Sequence, residues 1–306
     1  MAVRPFLPTD LIAILLQGRW LSNRAKTKDN IGREETIFFT SATLLGQWLH
    51  PQVRRYLWVW ANGLRIRGLA SARNRYSPQA WEIDRLLLDE QDDECCHLLL
   101  ERLSAAGGES GVKKIFLRLP AESPLVDAAR EAGFVPYVTE FLYGWEREKT
   151  AGHGEPISCS TRRKQEGDDY RLFELHKACI PAPIRRVEGM TFQEWQEAKD
   201  RSARKEWVFE KENSLIGWLR AETCGDKGQF EIMATNEGEL KQMVDYSLMS
   251  LDGYRYLFCL APEFQRKLAR LLQGYGFGEV KRYSSLIKEL TVRAQKPCLV
   301  PLGAEL

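Results

Sequence analysis

The chain has 306 residues, 44% of them hydrophobic and 28% charged, enough to build two cores of about 150 residues each and far from the composition of a disordered chain. Its 44 basic and 42 acidic residues leave a net charge of +2, which removes bulk charge as a reason to bind nucleic acid or a membrane surface. Seven cysteines without CxxC spacing and four scattered histidines read as free thiols in a reducing cytoplasm and supply no metal site.

Val3 to Phe6 reads as a first strand. Thr9 and Asp10 can cap a helix carrying Leu11, Ile12, Leu15 and Leu16, which Gly18 stops. Its apolar run is too short to cross a bilayer and has no signal-peptide cleavage pattern. Arg19 to Arg33 turns polar and basic and reads as a mobile loop; Ser41 to Leu49 is a second helix candidate. Two strands follow, at 56–63 and 64–76. In the second, Leu64, Ile66, Ala70 and Ala72 share one face, and Arg65, Arg67, Arg73 and Arg75 the other. Those arginines can draw in an anion; as a solvated face they would pair with Glu82 and Asp84 on the next strand.

From Trp81 to Phe134 the pattern is strand, helix, strand, helix, then Gly133-Phe134 and another strand. This order implies a crossover between adjacent parallel strands. Residues 147–169 hold Gly, Pro, Ser and mixed charge without an apolar period, and read as a linker with a short strand at Ile157 to Thr161. Beyond it come a helix at 170–179, a loop at 180–190 and a capping box, Thr191 to Glu194, that opens a helix through Trp195. Three strands, a helix, a strand, a helix, Gly276-Phe277 and a last strand complete the pattern.

The two halves align with each other. An offset of 149 matches Trp58 with Trp207, Val59 with Val208, Gly68 with Gly217, and Glu82 with Glu231. Past the crossover helix the offset becomes 143, matching Leu117 with Leu260, Leu125 with Leu268, and Gly133-Phe134 with Gly276-Phe277. One six-residue deletion accounts for the change, so the sequence describes a tandem duplication. Each glycine of the Gly-Phe pair is expected to end its helix in the left-handed region.

The β–α–β–α–Gly–Phe–β unit, twice repeated, resembles the core of the GNAT acetyltransferase superfamily. The resemblance implies an α/β (α+β) fold of two tandem GNAT-like domains, each a mixed twisted sheet flanked by helices. Their expected limits are 1–148 and 167–293, with a linker at 149–166 and a tail at 294–306. It further implies transfer of an acetyl or acyl group from acetyl-CoA or a related acyl-CoA to an amine, on a small molecule or a protein. Glu82 and Glu231 are the implied general bases, and the backbone of Leu86, Leu87 and Leu88 would hold the pantetheine arm. Two parts of the family pattern are missing. Where glycines should cradle the pyrophosphate, the first half has Asp89, Glu90, Asp92, Asp93 and Glu94, and the second has a single glycine, Gly238, between Glu237 and Glu239. The tyrosine that reprotonates the leaving thiolate falls at Ala129 and Leu272. A catalytically inactive binding or scaffold protein therefore stays open beside the transferase. So does, by analogy of fold, a Fem-like transferase that takes its acyl group from aminoacyl-tRNA.

Overall fold

The computed structural model describes residues 2–17, 22–28, 56–63, 65–88, 92–147, 160–197 and 205–291. The helix expected at Ser41 to Leu49, Asp89 and Glu90 of the acidic run, and the tail lie outside them.

The first half contains β1 (Ala2–Pro5), α1 (Pro8–Gln17), β2 (Ser22–Asn23), β3 (Tyr56–Asn62), β4 (Arg65–Ser77), β5 (Ala80–Leu88), α2 (Asp93–Glu109), β6 (Lys114–Pro120), α3 (Leu125–Glu131) and β7 (Val135–Glu146). The second contains β8 (Ser160–Arg163), α4 (Asp169–Cys179), α5 (Ala182–Glu188), α6 (Phe192–Glu197), β9 (Lys205–Lys211), β10 (Ser214–Cys224), β11 (Lys227–Ala234), α7 (Leu240–Ser250), β12 (Tyr256–Pro262), α8 (Arg266–Gly274) and β13 (Gly278–Glu289).

The repeat is physical. Trp60 pairs with Gly68 and Val59 with Leu69 between β3 and β4; Phe209 pairs with Gly217 and Val208 with Trp218 between β9 and β10, at the same offset. A Cβ on Gly68 would run into Cys95 of α2, and one on Gly217 into Met243 of α7. Each glycine thus lets its crossover helix pack onto the sheet. Gly133 and Gly276 have φ of +83° and +94°, and the next N–H, of Phe134 and Phe277, donates to Ala129 O and Leu272 O at 3.0 Å in both halves. These are the expected helix ends.

All described strands form one sheet in the order β1-β3-β4-β5-β6-β13-β7-β12-β11-β10-β9-β8, with β2 attached to β5. The pairs β5–β6 and β11–β12 are parallel, as the crossovers require. At the centre the halves interlock: β13 runs antiparallel between β6 and β7, and β7 pairs with β12. Consequently Leu286 of β13 packs into the first-half core beneath α2 and α3. Tyr143 of β7 packs into the second-half core with Phe230, Met243 and Leu268. Each half supplies a strand to the other's core.

Two expectations are corrected. The stretch read as a loop at 180–190 forms the short helix α5. Pro181 and Pro183 sit at its start, where a missing N–H costs nothing, and Gly189 stops it at φ +52°. The four arginines of β4 do not share a face, because the register shift between β3 and β4 at Trp60/Ala61 leaves Arg67 as an extra residue on β4 and breaks the alternation. Arg67 lies over Trp60 at 4.5 Å and pairs with Asp92 at the start of α2, whereas Arg73 and Arg75 face a cavity at the middle of the sheet.

Candidate functional site

Parallel strands that leave one another create the site. In the first half β5 and β6 pair only from Ala80/Lys114 to Glu82/Phe116. In the second half β11 and β12 pair from Lys227/Tyr256 to Phe230/Cys259. Beyond the last rung the two strands of each pair no longer bond to each other, and a gap opens between them.

The first-half gap is filled by the chain itself. Ser22 pairs with Leu88 and Asn23 with Leu87. Arg24 N–H donates to Leu86 O at 2.8 Å, and Lys26 N–H donates to Arg118 O of β6 at 2.9 Å, across the gap. The Asn23 side chain accepts from Leu86 N–H (2.9 Å) and donates to Asp84 O (3.2 Å). Ser22 to Lys28, within the stretch expected to be a mobile loop, is therefore an ordered segment laid between β5 and β6, of which Ser22–Asn23 is strand. The backbone of Leu86 to Leu88, expected to hold a pantetheine arm, is engaged by it. Its buried positions are Asn23, Ala25 and Thr27, an alternation of small and polar residues that a search for apolar periodicity passes over.

The second-half gap carries no strand among the described residues. Two side chains reach its β11 edge: Gln265 Nε2 donates to Ile232 O at 3.3 Å, and the half-buried Cys179 thiol hydrogen-bonds with the backbone of Ala234. Burial pushes the Cys179 thiol up to about 11, which keeps it protonated near neutral pH. This gap opens into a cavity of about 670 Å³ whose wall includes Ile232, Met233, Leu260 and Pro262, together with Cys179 and Gln265.

Glu82 and Glu231 both line this cavity, so the repeat brings the two implied bases to one chamber. Glu82 accepts from Arg73 Nη2 at 2.9 Å. Glu231, one residue past the last β11–β12 rung, accepts from Arg220 Nη2 at 2.6 Å on one oxygen and from Lys28 Nζ at 2.7 Å on the other. Lys28 is the last described residue of the segment that fills the first-half gap.

Several residues in or beside the cavity escaped the sequence reading. Arg118 (β6), Glu140 (β7) and Ser285 (β13) form a buried cluster across the interlocked strands. Arg118 Nε donates to Glu140 at 2.6 Å and to Ser285 Oγ at 3.2 Å, and Ser285 Oγ donates to Glu140 at 2.6 Å. Burial alone would raise the Glu140 carboxyl, but the Arg118 charge and these hydrogen bonds hold it below the usual carboxylate range. Arg75 lies 3.9 Å over Phe116 and 3.7 Å from Glu188. Burial raises the Tyr137 hydroxyl to about 12 and lowers His176. No sequence motif marks them, since they meet only because β13 and β7 exchange places and α4 to α6 roof the cavity.

The remaining expectations resolve at the helix starts. Asp92 caps α2, accepting from Cys95 N–H at 3.0 Å, and Asp93 and Glu94 occupy the first turn. That N-terminus is satisfied by the protein's own carboxylates. By contrast α7 follows a 3₁₀ turn at Glu237–Glu239 and has no side-chain cap; the Glu239 carboxylate is paired with Lys211 at 3.1 Å. Ala129 and Leu272 are fully buried and leave no polar group at the expected tyrosine positions.

Among solved structures, a GCN5-related N-acetyltransferase from Sphaerobacter thermophilus superposes over 94% of this chain and 95% of its own, at a TM-score of 0.56 and 16% identity. The chain has the GNAT fold. A tandem GNAT protein from the clavulanic acid biosynthesis pathway matches over 94% of this chain and 98% of its own, with a TM-score of 0.54 and 12% identity. A putative acetyltransferase from Pyrococcus horikoshii matches over 95% and 90%, with a TM-score of 0.54 and 14% identity. Neither a protein-family model nor a curated protein matches the sequence.

The GNAT fold implies an acyl-CoA, and the two halves fit it differently. The first does not fit: the segment Ser22 to Lys28 fills its gap and carboxylates cap its helix. The second fits better: no described strand fills its gap and an acid stands at the apex, although Gln265 bonds to the β11 edge and the Gly238 N–H before α7 donates to Asn236 Oδ1 at 3.0 Å. Among the described residues no group of His, Cys, Asp and Glu is placed to hold a metal ion. No described helix is long and apolar enough to cross a membrane.

Proposed function

We propose that the protein is an acyl-CoA-dependent N-acyltransferase in which the second half binds the donor and the first half has become a wall of the acceptor chamber. The observation that carries this reading is the asymmetry of the two gaps, one filled by Ser22 to Lys28 and the other open beside Glu231.

The bound coenzyme supplies an acyl group activated as a thioester. The exposed β11 edge at Ile232 to Ala234 orients an extended arm by backbone hydrogen bonds, after Gln265 swings off the Ile232 carbonyl. Glu231 receives the proton of the attacking amine. Arg220, bonded to the opposite carboxylate oxygen, keeps the receiving oxygen turned into the cavity. The chamber, roofed by α4 to α6, holds the amine beside Glu231.

Titration calorimetry with acetyl-CoA, followed by an acyl-transfer assay over a panel of small amines, tests the reading. One coenzyme site per chain and a Glu231→Gln rate about 10²–10⁴-fold lower are expected for loss of a general base. Absence of binding heat at millimolar coenzyme would sink it. A second reading, a binding protein without turnover, is favoured by Ala129 and Leu272 at the tyrosine positions. It predicts coenzyme binding without transfer to any amine.

A further inference from the structure

We propose that Lys28 is a self-acylation site: its ε-amine is an acceptor for the acyl group delivered through the second-half gap. The inference rests on the donor reading above and adds the identity of one acceptor.

Four observations converge on Lys28. The segment leading to it is fixed on both sides of the first-half gap by the Arg24–Leu86 and Lys26–Arg118 backbone bonds, which aim the lysine at the cavity. Its Nζ stands 2.7 Å from Glu231 Oε1, while Arg220 occupies Oε2. Glu231 follows the last rung of the β11–β12 pair, Phe230/Cys259, so the amine lies at the apex of the open gap. The Lys28 side chain remains 44% exposed and lines the cavity, leaving the nitrogen room to turn toward an incoming carbonyl. This arrangement, an amine hydrogen-bonded to a carboxylate beside an entrance for an acyl carrier, is what direct N-acylation needs.

The step balances. Glu231 takes a proton from the Lys28 ammonium, and the freed lone pair attacks the thioester carbonyl. A C–N bond forms as the C–S bond breaks, the second proton lost from the nitrogen passes to the leaving thiolate, and the proton held by Glu231 is released to solvent. The products are an amide on Lys28 and a free thiol, with nothing oxidised or reduced. The co-reactant is an acyl thioester. Because the amide is neutral, acylation removes one of the two cations on Glu231 and one link between the first-half segment and the second half.

The test is to incubate the full chain with acetyl-CoA and follow each lysine peptide by mass spectrometry, with coenzyme binding measured calorimetrically on the same sample. Lys28 is expected to gain an acetyl group about a hundredfold faster than the exposed Lys281, with Glu231→Gln bringing it down toward that background. The comparison with Lys281 needs no variant and stands even where Glu231→Gln fails to fold. If coenzyme binds and other amines are acetylated while Lys28 stays at background, Lys28 is only an ion-pair strut: this proposal is overturned and the donor reading survives. If no coenzyme binds, both fall together.

Discussion

Arg118, Glu140 and Ser285 come from three adjacent strands, β6, β7 and β13, and the last belongs to the other half of the repeat. Replacing Arg118 by Met keeps most of the side-chain volume and leaves Glu140, only 5% exposed, with Ser285 as its sole partner from the cluster. Breaking a buried pair on one side costs about 3–5 kcal/mol, because the remaining charge is neither solvated nor compensated. The double replacement Arg118→Met/Glu140→Leu removes both charges and should recover most of that loss, giving a coupling of about 2 kcal/mol or more. Urea unfolding followed by tryptophan fluorescence measures each corner of the cycle. Because β13 lies in the first-half core and β7 in the second, wild type should unfold in one transition. A single-mutant loss below about 1 kcal/mol, or two separate wild-type transitions, would refute the view that this cluster pins interlocked halves.

Further outcomes follow from the same geometry. Asn23→Ala strips partners from the buried Leu86 N–H and Asp84 C=O and should cost about 2–4 kcal/mol in the same urea assay. Neutral substitution there would mean that the segment does not lie against β5 in solution. Acid should act in two stages in a pH series of urea midpoints. Burial lowers His176 from 6.5, so the unfolded chain binds its proton first and stability falls as pH drops below about 6.5. Glu140 lies below its ordinary 4.5; its contribution is full above that value and is lost as pH falls through the folded one. A midpoint that rises as pH falls from 7 through 6.5 would contradict the first assignment, and one that rises below 4.5 the second. Among the described cysteines, a thiol reagent should modify exposed Cys224 readily. Cys95, Cys96 and Cys259 are fully buried, with thiols raised by desolvation, and should react only with unfolding; early modification of any of them by peptide mapping would show that the cores open.

The sequence carried the repeat because its markers are steric. Gly68 and Gly217 admit a helix against a strand, and Gly133 and Gly276 hold a positive φ, so each is identifiable wherever the chain order is read. Glu82 and Glu231 were legible for the same reason, as repeat-equivalent residues on β5 and β11. Strand exchange was not, since β7 and β13 have the same alternation whichever half they complete. The filled gap was hidden by its chemistry. Asn23, Ala25 and Thr27 are buried through backbone pairing rather than hydrophobicity, which makes their stretch look like a loop. The arginine face misled because strict alternation was assumed across a register shift that only pairing partners reveal.

The most direct test of the functional asymmetry is a crystal structure of the full chain grown with coenzyme A. The account predicts one coenzyme, its arm along β11 at Ile232 to Ala234 and its thiol beside Glu231, with Ser22 to Lys28 still lying between β5 and β6. A coenzyme seated between β5 and β6, with Asn23 displaced from Leu86, would contradict it.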